Sequence, residues 1–217
     1  MKYIFVSTIL FLLSAASFAQ VKEVPDPKAK ALLDELSAKT KGYTSIKADF
    51  TMVMQSKDKT KKAETQKGSL QLKGQKYKLE ITGQEIISDG KTSWTFLKDS
   101  KEVQIKDADA NANNEGVTPT NIFTIYEKGY KYKFDGENTT SNVVALFPNN
   151  PEKKKFHTIK LVLDKTKKQI TSFTVYMKDG NTLEYTINAF ETNMALPDDL
   201  FVFDVKAHPG VDVVDLR

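Results

Sequence analysis

The sequence of 217 residues contains no cysteine. That excludes disulfides, thiolate nucleophiles and cysteine-ligated metal centres, and it removes the residue on which a lipoprotein carries its own lipid. Histidine is almost as scarce. His157 falls within a predicted strand beside Ile159, Leu161 and Leu163, and His208 lies near the C-terminus, neither inside a nucleophile or metal motif. A catalytic triad or a zinc site is not expected from two isolated imidazoles, and His157 reads as a rim or hydrogen-bonded residue. Strong charge of one sign is also missing. The formal net charge is +4, and without Lys2 there remain 31 basic against 28 acidic residues, too even a balance for a nucleic-acid protein. The densest basic run, Lys57, Lys59, Lys61 and Lys62, is short of a polybasic membrane anchor and reads as a solvated hairpin tip. Past the first twenty residues no apolar run is long enough for a membrane helix.

The one long apolar run stands at the start. Lys2 precedes Ile4 to Leu13, broken only by Ser7 and Thr8, and the small-residue stretch from Ser14 to Ala19 follows. This is the pattern of a secretory signal peptide, with Ser17 and Ala19 three and one positions before the cut. Cleavage after Ala19 is predicted, leaving residues 20–217 as a single exported domain, a periplasmic resident or a secreted protein.

One helix is signalled early in that domain. Asp26 can cap it, Pro27 can take its first position, Leu32, Leu33 and Leu36 fall on one stripe, and Gly42 can end it. From Ile46 onward the period becomes two. Ile46, Ala48, Phe50, Met52 and Met54 alternate with mostly polar residues, and similar alternation recurs at Leu70 and Leu72, at Tyr77, Leu79 and Ile81, at Trp94 and Phe96, and at Val103 and Ile105. The rhythm breaks between Asp107 and Glu115, where Asp, Asn and Ala show no period. Thr118 and Pro119 then open a segment predicted as a short helix, Asn121 to Glu127, carrying Ile122, Phe123, Ile125 and Tyr126. Strands resume at Tyr130 and continue in turn-separated stretches to Ala189, with two short strands, or one strand and a tail, after Phe201.

The expected fold is therefore mainly β with α (α+β): an incompletely closed antiparallel β-barrel of about ten or eleven strands in meander order. Two helices cannot cover so large a sheet as a full second layer, so they are placed across its mouth as a lid over an apolar cavity.

Several motifs imitate chemistry and fail on spacing. Asp107, Asp109, Asn111 and Asn113 begin like a calcium loop, but Ala112 stands where glycine is needed and Thr118 where glutamate is needed. Gly90, Lys91 and Thr92 resemble the end of a phosphate-binding loop, yet Glu85 replaces the earlier glycine and strands flank both sides, so a hairpin turn is expected. Asn138, Thr139 and Thr140 form a sequon that marks only a surface loop. No carboxylate pair lies in a segment that suggests a cleft. An enzyme is the least favoured class, and no cofactor is implied.

What remains is apolar content on strands. By alternation Phe50, Met52, Met54, Leu70, Leu72, Tyr77, Leu79, Trp94 and Phe96 are assigned to one face as the candidate cavity wall. Met52 and Met54 suit an adaptable apolar surface. The candidate lid is Leu32, Leu33 and Leu36 with Ile122, Phe123, Ile125 and Tyr126.

These segments, taken in order, resemble the outer membrane lipoprotein carrier proteins, the LolA family. The resemblance is carried by Ala48–Asp49–Phe50–Thr51 after a leucine-striped helix, and by Ile87 through Thr92 followed by Trp94. Thr118–Pro119 before an apolar segment also matches, as does the ending from Phe201 through Pro209, Gly210, Val211 and Asp212. It implies an unclosed barrel whose cavity takes the acyl chains of lipoproteins from an inner-membrane lipoprotein-releasing transporter. The chains are then delivered across the periplasm to an outer-membrane acceptor. A monomer that binds no nucleic acid is expected. One departure stands out: the family's arginine, which helps latch the lid, and the proline that follows it are here Lys73 and Gly74. A carrier of another amphiphile, such as a glycolipid or pigment precursor, and a sensor of lipoprotein tails are the alternatives in the same architecture.

Overall fold

The computed structural model describes residues 25–108, 117, 118 and 120–217; the predicted leader and cleavage site lie outside the described residues, as do residues 109–116. Helix α1 (Pro27–Lys41) begins as its sequence dictates. The Asp26 carboxylate accepts from the backbone N–H groups of Lys28 and Ala29 at 3.0 and 3.1 Å, Pro27 occupies the first turn, and Lys39 and Lys41 lie in the last, where cations suit the helix dipole. Ala29, Leu33 and Leu36 form its buried stripe.

Twelve strands follow: β1 (Ile46–Gln55), β2 (Glu64–Lys73), β3 (Lys76–Ile81), β4 (Gln84–Ser88), β5 (Thr92–Leu97), β6 (Glu102–Asp107), β7 (Tyr130–Glu137), β8 (Ser141–Pro148), β9 (Phe156–Asp164), β10 (Ile170–Met177), β11 (Thr182–Thr192) and β12 (Asp212–Asp215). They form one sheet in the order β12-β6-β5-β4-β3-β2-β1-β11-β10-β9-β8-β7. The sheet is thus two meanders joined where β1 pairs antiparallel with β11, and not the single meander expected. Its ends, β7 and β12, do not pair with each other, so the barrel is unclosed. β12 is the exception to antiparallel pairing, lying parallel on β6.

Curvature enters through irregular register. Bulges interrupt β1 against β11 at Asp49/Phe50, β7 at Phe134/Gly136 and β10 against β9 at Ile170/Ser172 and Tyr176/Met177, and each sharpens the local twist. β6 and β7 lie far apart in the sheet order, and the described residues between them pack on the concave face.

The second expected helix is not there. Residues 120–124 are turns, and only Ile125–Glu127 forms a single 3-10 turn. β-branched and aromatic residues fill this stretch, each losing side-chain freedom in a helix, which leaves little to sustain one. The expected strand at Phe201–Val205 is likewise replaced by 3-10 turns at Asp198–Phe201 and Val205–Ala207. Among the described residues no helix is long and apolar enough to cross a membrane.

Candidate functional site

The register decides which side chains share a face, because directly paired residues in neighbouring strands project to the same side. Ala48 pairs with Leu70 and Leu70 with Leu79, while Phe50 pairs with Gly68 and Gly68 with Ile81. On the other flank Phe50 pairs with Ile187 and Met52 with Tyr185, which in turn pairs with Phe173. These residues surround a cavity of about 750 Å³ on the concave face of β1–β3 and β9–β11.

Four of the nine expected wall residues, Phe50, Met52, Leu70 and Leu79, line it. Gly68 explains the seating of Phe50: a Cβ there would stand 2.4 Å from Phe50 Cζ and 2.7 Å from the Glu80 carbonyl oxygen, so only glycine lets the ring lie across β2. Tyr185 stacks on Phe173 with ring centroids 4.5 Å apart and planes at 11°, and Phe50 lies 6.0 Å from Tyr185. Burial pushes the Tyr185 hydroxyl above its ordinary pKa and so keeps it neutral.

The other five expected wall residues lie elsewhere. Met54 is half-buried and pairs with the wall residue Leu183, so it shares the cavity face but does not line the cavity. Leu72 belongs to the closed core with Ile46, and Tyr77 packs against that core with its hydroxyl pKa raised by burial. Trp94 and Phe96 are on the wrong face. β3 and β4 meet through Thr82 and Gly83, the latter at φ +76°, so Leu79 faces Ile86, which faces Thr95. The cavity side of β4–β6 therefore carries Ser88, Ser93, Thr95 and Gln104, while Ile87, Trp94, Phe96 and Val103 project to the back. There the C-terminal segment covers them. Phe203 packs on Phe96 at 5.3 Å between centroids, His208 stacks on Phe203 at 4.4 Å, and Val211 joins the same cluster.

The lid residues divide as well. Ile122 and Phe123 border the cavity. Leu33, Leu36, Ile125 and Tyr126 are instead buried in a closed core with Val144, Leu146, Ile159 and Leu161, and Leu32 packs against it. Helix α1 thus plugs the β7–β9 side of the concavity and none of its residues lines the cavity. It holds the crossing segment in place: Tyr126 donates to Asp34 Oδ1 at 3.1 Å, Ser37 Oγ donates to Glu127 Oε1 at 2.5 Å, and Lys41 pairs with Glu127 at 2.6 Å. Asp26 Oδ2 also accepts the Phe134 N–H at 2.9 Å, fastening the helix start to β7. Lys73 does not reach the helix. It bonds the Leu196 carbonyl and Asp198 Oδ1, each at 2.9 Å, and so ties β2 to the C-terminal segment.

The expected wall omitted the far flank, formed by Phe173, Val175 and Met177 of β10 and by Leu183, Tyr185 and Ile187 of β11. Their period-two spacing carries the same signal as β1, and it was legible. Three consecutive lysines, Lys153, Lys154 and Lys155, stand at the margin, and no local pattern announces them. Among the described lining residues none is a carboxylate. A wall of aliphatic, aromatic and thioether groups can hold apolar matter.

Residues 41–204 match the family described as outer membrane lipoprotein carrier protein LolA. Among solved structures the chain is similar to an uncharacterized conserved protein from Thermus thermophilus at 12% identity, covering 87% of this chain and 99% of that one with a TM-score of 0.55. That likeness supports the fold. A LolA superfamily protein from Nitrosomonas europaea is similar at 13% identity, 84% and 99% coverage and a TM-score of 0.46. A putative outer membrane lipoprotein-sorting protein domain from Vibrio parahaemolyticus is similar at 13% identity, 80% and 97% coverage and a TM-score of 0.43. No curated protein matches the chain.

Proposed function

Because the chain belongs to the outer membrane lipoprotein carrier protein LolA family, we propose that it is a periplasmic carrier whose cavity shelters the acyl chains of lipoproteins. In this reading it receives them from an inner-membrane transporter and yields them to an outer-membrane acceptor, without catalysing a reaction. The observation that carries it is the apolar cavity of about 750 Å³, inside the range of roughly 300–1,000 Å³ in which pockets bury most of a drug-sized ligand's surface.

Energy sets the need for such a space. Each methylene withdrawn from water is worth about 0.8 kcal/mol, so a chain of about sixteen carbons requires shelter on the order of 10 kcal/mol. A carrier must also let go, so the acceptor has to bind the chain more favourably than the carrier does. Ile122 and Phe123 stand on the crossing segment between the cavity and the core under α1, and are the groups assigned to yield as cargo enters.

Lipid extraction and native mass spectrometry of the purified protein test the reading. Acylated polypeptide is expected in the extract, with uptake of a synthetic lipidated peptide by the emptied protein. Absence of both rejects a lipoprotein carrier. The second reading, a carrier of another amphiphile, is favoured by Lys73, which engages the C-terminal segment where the family's latch would engage the lid. Competition separates the two: under that reading free glycolipid displaces lipidated peptide from the cavity.

A further inference from the structure

We propose that the lysine-bearing turns around the cavity mouth dock this protein, mouth first, on the anionic surface of a lipid bilayer. The proposal rests on the carrier reading of the cavity and adds how the mouth meets its lipid source.

Pairing places three turns at one end of the sheet. β1 ends where Gln55 faces Thr182, and β10 ends where Met177 faces Phe156. Residues 56–63, 178–181 and 149–155 therefore leave the sheet together, and they are joined. The Lys57 N–H donates to Asn181 Oδ1 at 3.0 Å, and the Lys178 N–H donates to the Lys155 carbonyl at 2.9 Å. The Lys57 stem lies over Gly180, where a Cβ would come within 3.1 Å of Lys57 Cβ. Lys153, Lys154 and Lys155 line the cavity itself, so this joined rim bounds the opening.

The rim concentrates positive charge. The turns 56–63 and 149–155 contain seven lysines against Asp58 and Glu152, five positive charges where the entire chain has a net +4. Asp58 does not neutralise a lysine; its carboxylate accepts from the Thr60 N–H and hydroxyl at 3.0 and 2.7 Å. Among the described residues Lys59, Lys61, Lys62, Lys153 and Lys155 form no ion pair. The opposite end is different. Lys28 and Lys165 pair with Glu137, Lys168 with Glu35 and Lys73 with Asp198. Five lysines without an ion pair are thus gathered at the mouth, while the opposite end pairs Lys28, Lys73, Lys165 and Lys168 and, among the described residues, leaves only Lys39 and Lys167 of its neighbouring lysines without one.

Exposed point charges spread over several turns add up on a diffuse anionic surface, where each contributes within a Debye length. Phe147 strengthens the case: it is 38% exposed on β8 immediately before the 149–155 turn, and it is the one aromatic among the exposed large hydrophobic residues described. An aromatic ring beside lysines fits the interfacial layer of a bilayer. A mouth pressed there lets an acyl chain pass from lipid to cavity without crossing water.

Flotation of the full chain with vesicles tests this. Binding is expected to vesicles of equal phosphatidylcholine and phosphatidylglycerol and not to phosphatidylcholine alone, and it should weaken as salt is raised. The variant K59E/K61E/K62E, and separately K153E/K155E, should lose at least about tenfold in binding, with Trp94 fluorescence unchanged to show that the fold is kept. The variant K165E/K167E at the opposite end of the sheet should bind as the parent does. Equal binding to neutral vesicles, no binding to either kind, or indifference to charge reversal at the mouth would overturn the proposal. So would capture by polyglutamate without vesicle binding, which would indicate an acidic protein partner, or full competition by glycerol phosphate at unchanged ionic strength, which would indicate a head-group pocket. Uptake of a lipidated peptide, measured without vesicles, keeps the two readings separate. Docking without uptake removes the carrier reading alone, and uptake without docking removes this proposal alone.

Discussion

Two apolar surfaces lie on opposite faces of one sheet and meet different fates. At the back of β4–β6, Ile87, Trp94, Phe96 and Val103 are capped by Phe203 and Val211 from the chain's own C-terminal segment. On the concave face of β1–β3 and β9–β11, a wall of similar composition surrounds about 750 Å³ of vacant space. Apolar composition does not distinguish a core from a binding site. What distinguishes them is whether the chain supplies the complementary surface. The concave face makes the point twice, since α1 fills it over β7–β9 and stops short of the cavity.

Truncation should split the two surfaces most widely. Phe203→Ala, at a residue 5% exposed in the closed cluster, is expected to cost about 3–5 kcal/mol in urea unfolding and to leave uptake of a lipidated peptide intact in the folded fraction. A stability loss below about 1 kcal/mol would show that the back cluster is no true core.

Enlargement reverses the contrast. Val103→Phe has no room at a fully buried position and should destabilise by about 1–3 kcal/mol. Ala48→Phe projects into the vacancy, so it should change stability by less than about 1 kcal/mol while reducing uptake. If both enlargements cost the same, the cavity is not vacant in solution. Gly68→Val sits between these cases. Its side chain would meet the Phe50 ring and the Glu80 carbonyl, so a cost of about 1–3 kcal/mol with impaired uptake is expected from unfolding and binding measured on one sample.

The smallest effect concerns the contact of α1 with the crossing segment. Burial, with Asp34 and Glu127 nearby, pushes the Tyr126 hydroxyl up to about 12. A raised pKa means the folded state holds the proton more tightly. Its stabilising contribution is complete below the ordinary tyrosine value near 10 and is lost as pH rises from there toward about 12. Tyrosinate absorbance should show a late-titrating component, to which the buried Tyr77 and Tyr185 also contribute, that shrinks by one hydroxyl in Tyr126→Phe, and that variant should cost about 1 kcal/mol. A parent titration without a late component would mean that Tyr126 is not held against Asp34.

The period-two pattern makes most strands legible, and the cap at Asp26 with the stripe of Leu33 and Leu36 makes α1 legible. Gln84–Ser88 is hard to read as a strand because it is short and buries residues of both faces, Glu85 and Ile87 on one and Ser88 on the other. The apolar cluster at Ile122–Tyr126 suggests a mid-chain helix, yet it forms a single 3-10 turn. Part of the wall is nevertheless readable from alternation alone, since Phe50, Met52, Leu70 and Leu79 line the cavity.

By itself the sequence determined local preference: where the chain extends, where it turns, and which residues within one strand lie on the same side. It could not relate the sides of different strands, because a shift of one residue in a turn exchanges the faces, and the Thr82–Gly83 turn sent Trp94 and Phe96 to the back. Nor could it separate filled from vacant. Hydrophobic residues drive the chain to hide them in either case, and only the three-dimensional course of α1 and the C-terminal segment decided which apolar face the protein covers and which it leaves open.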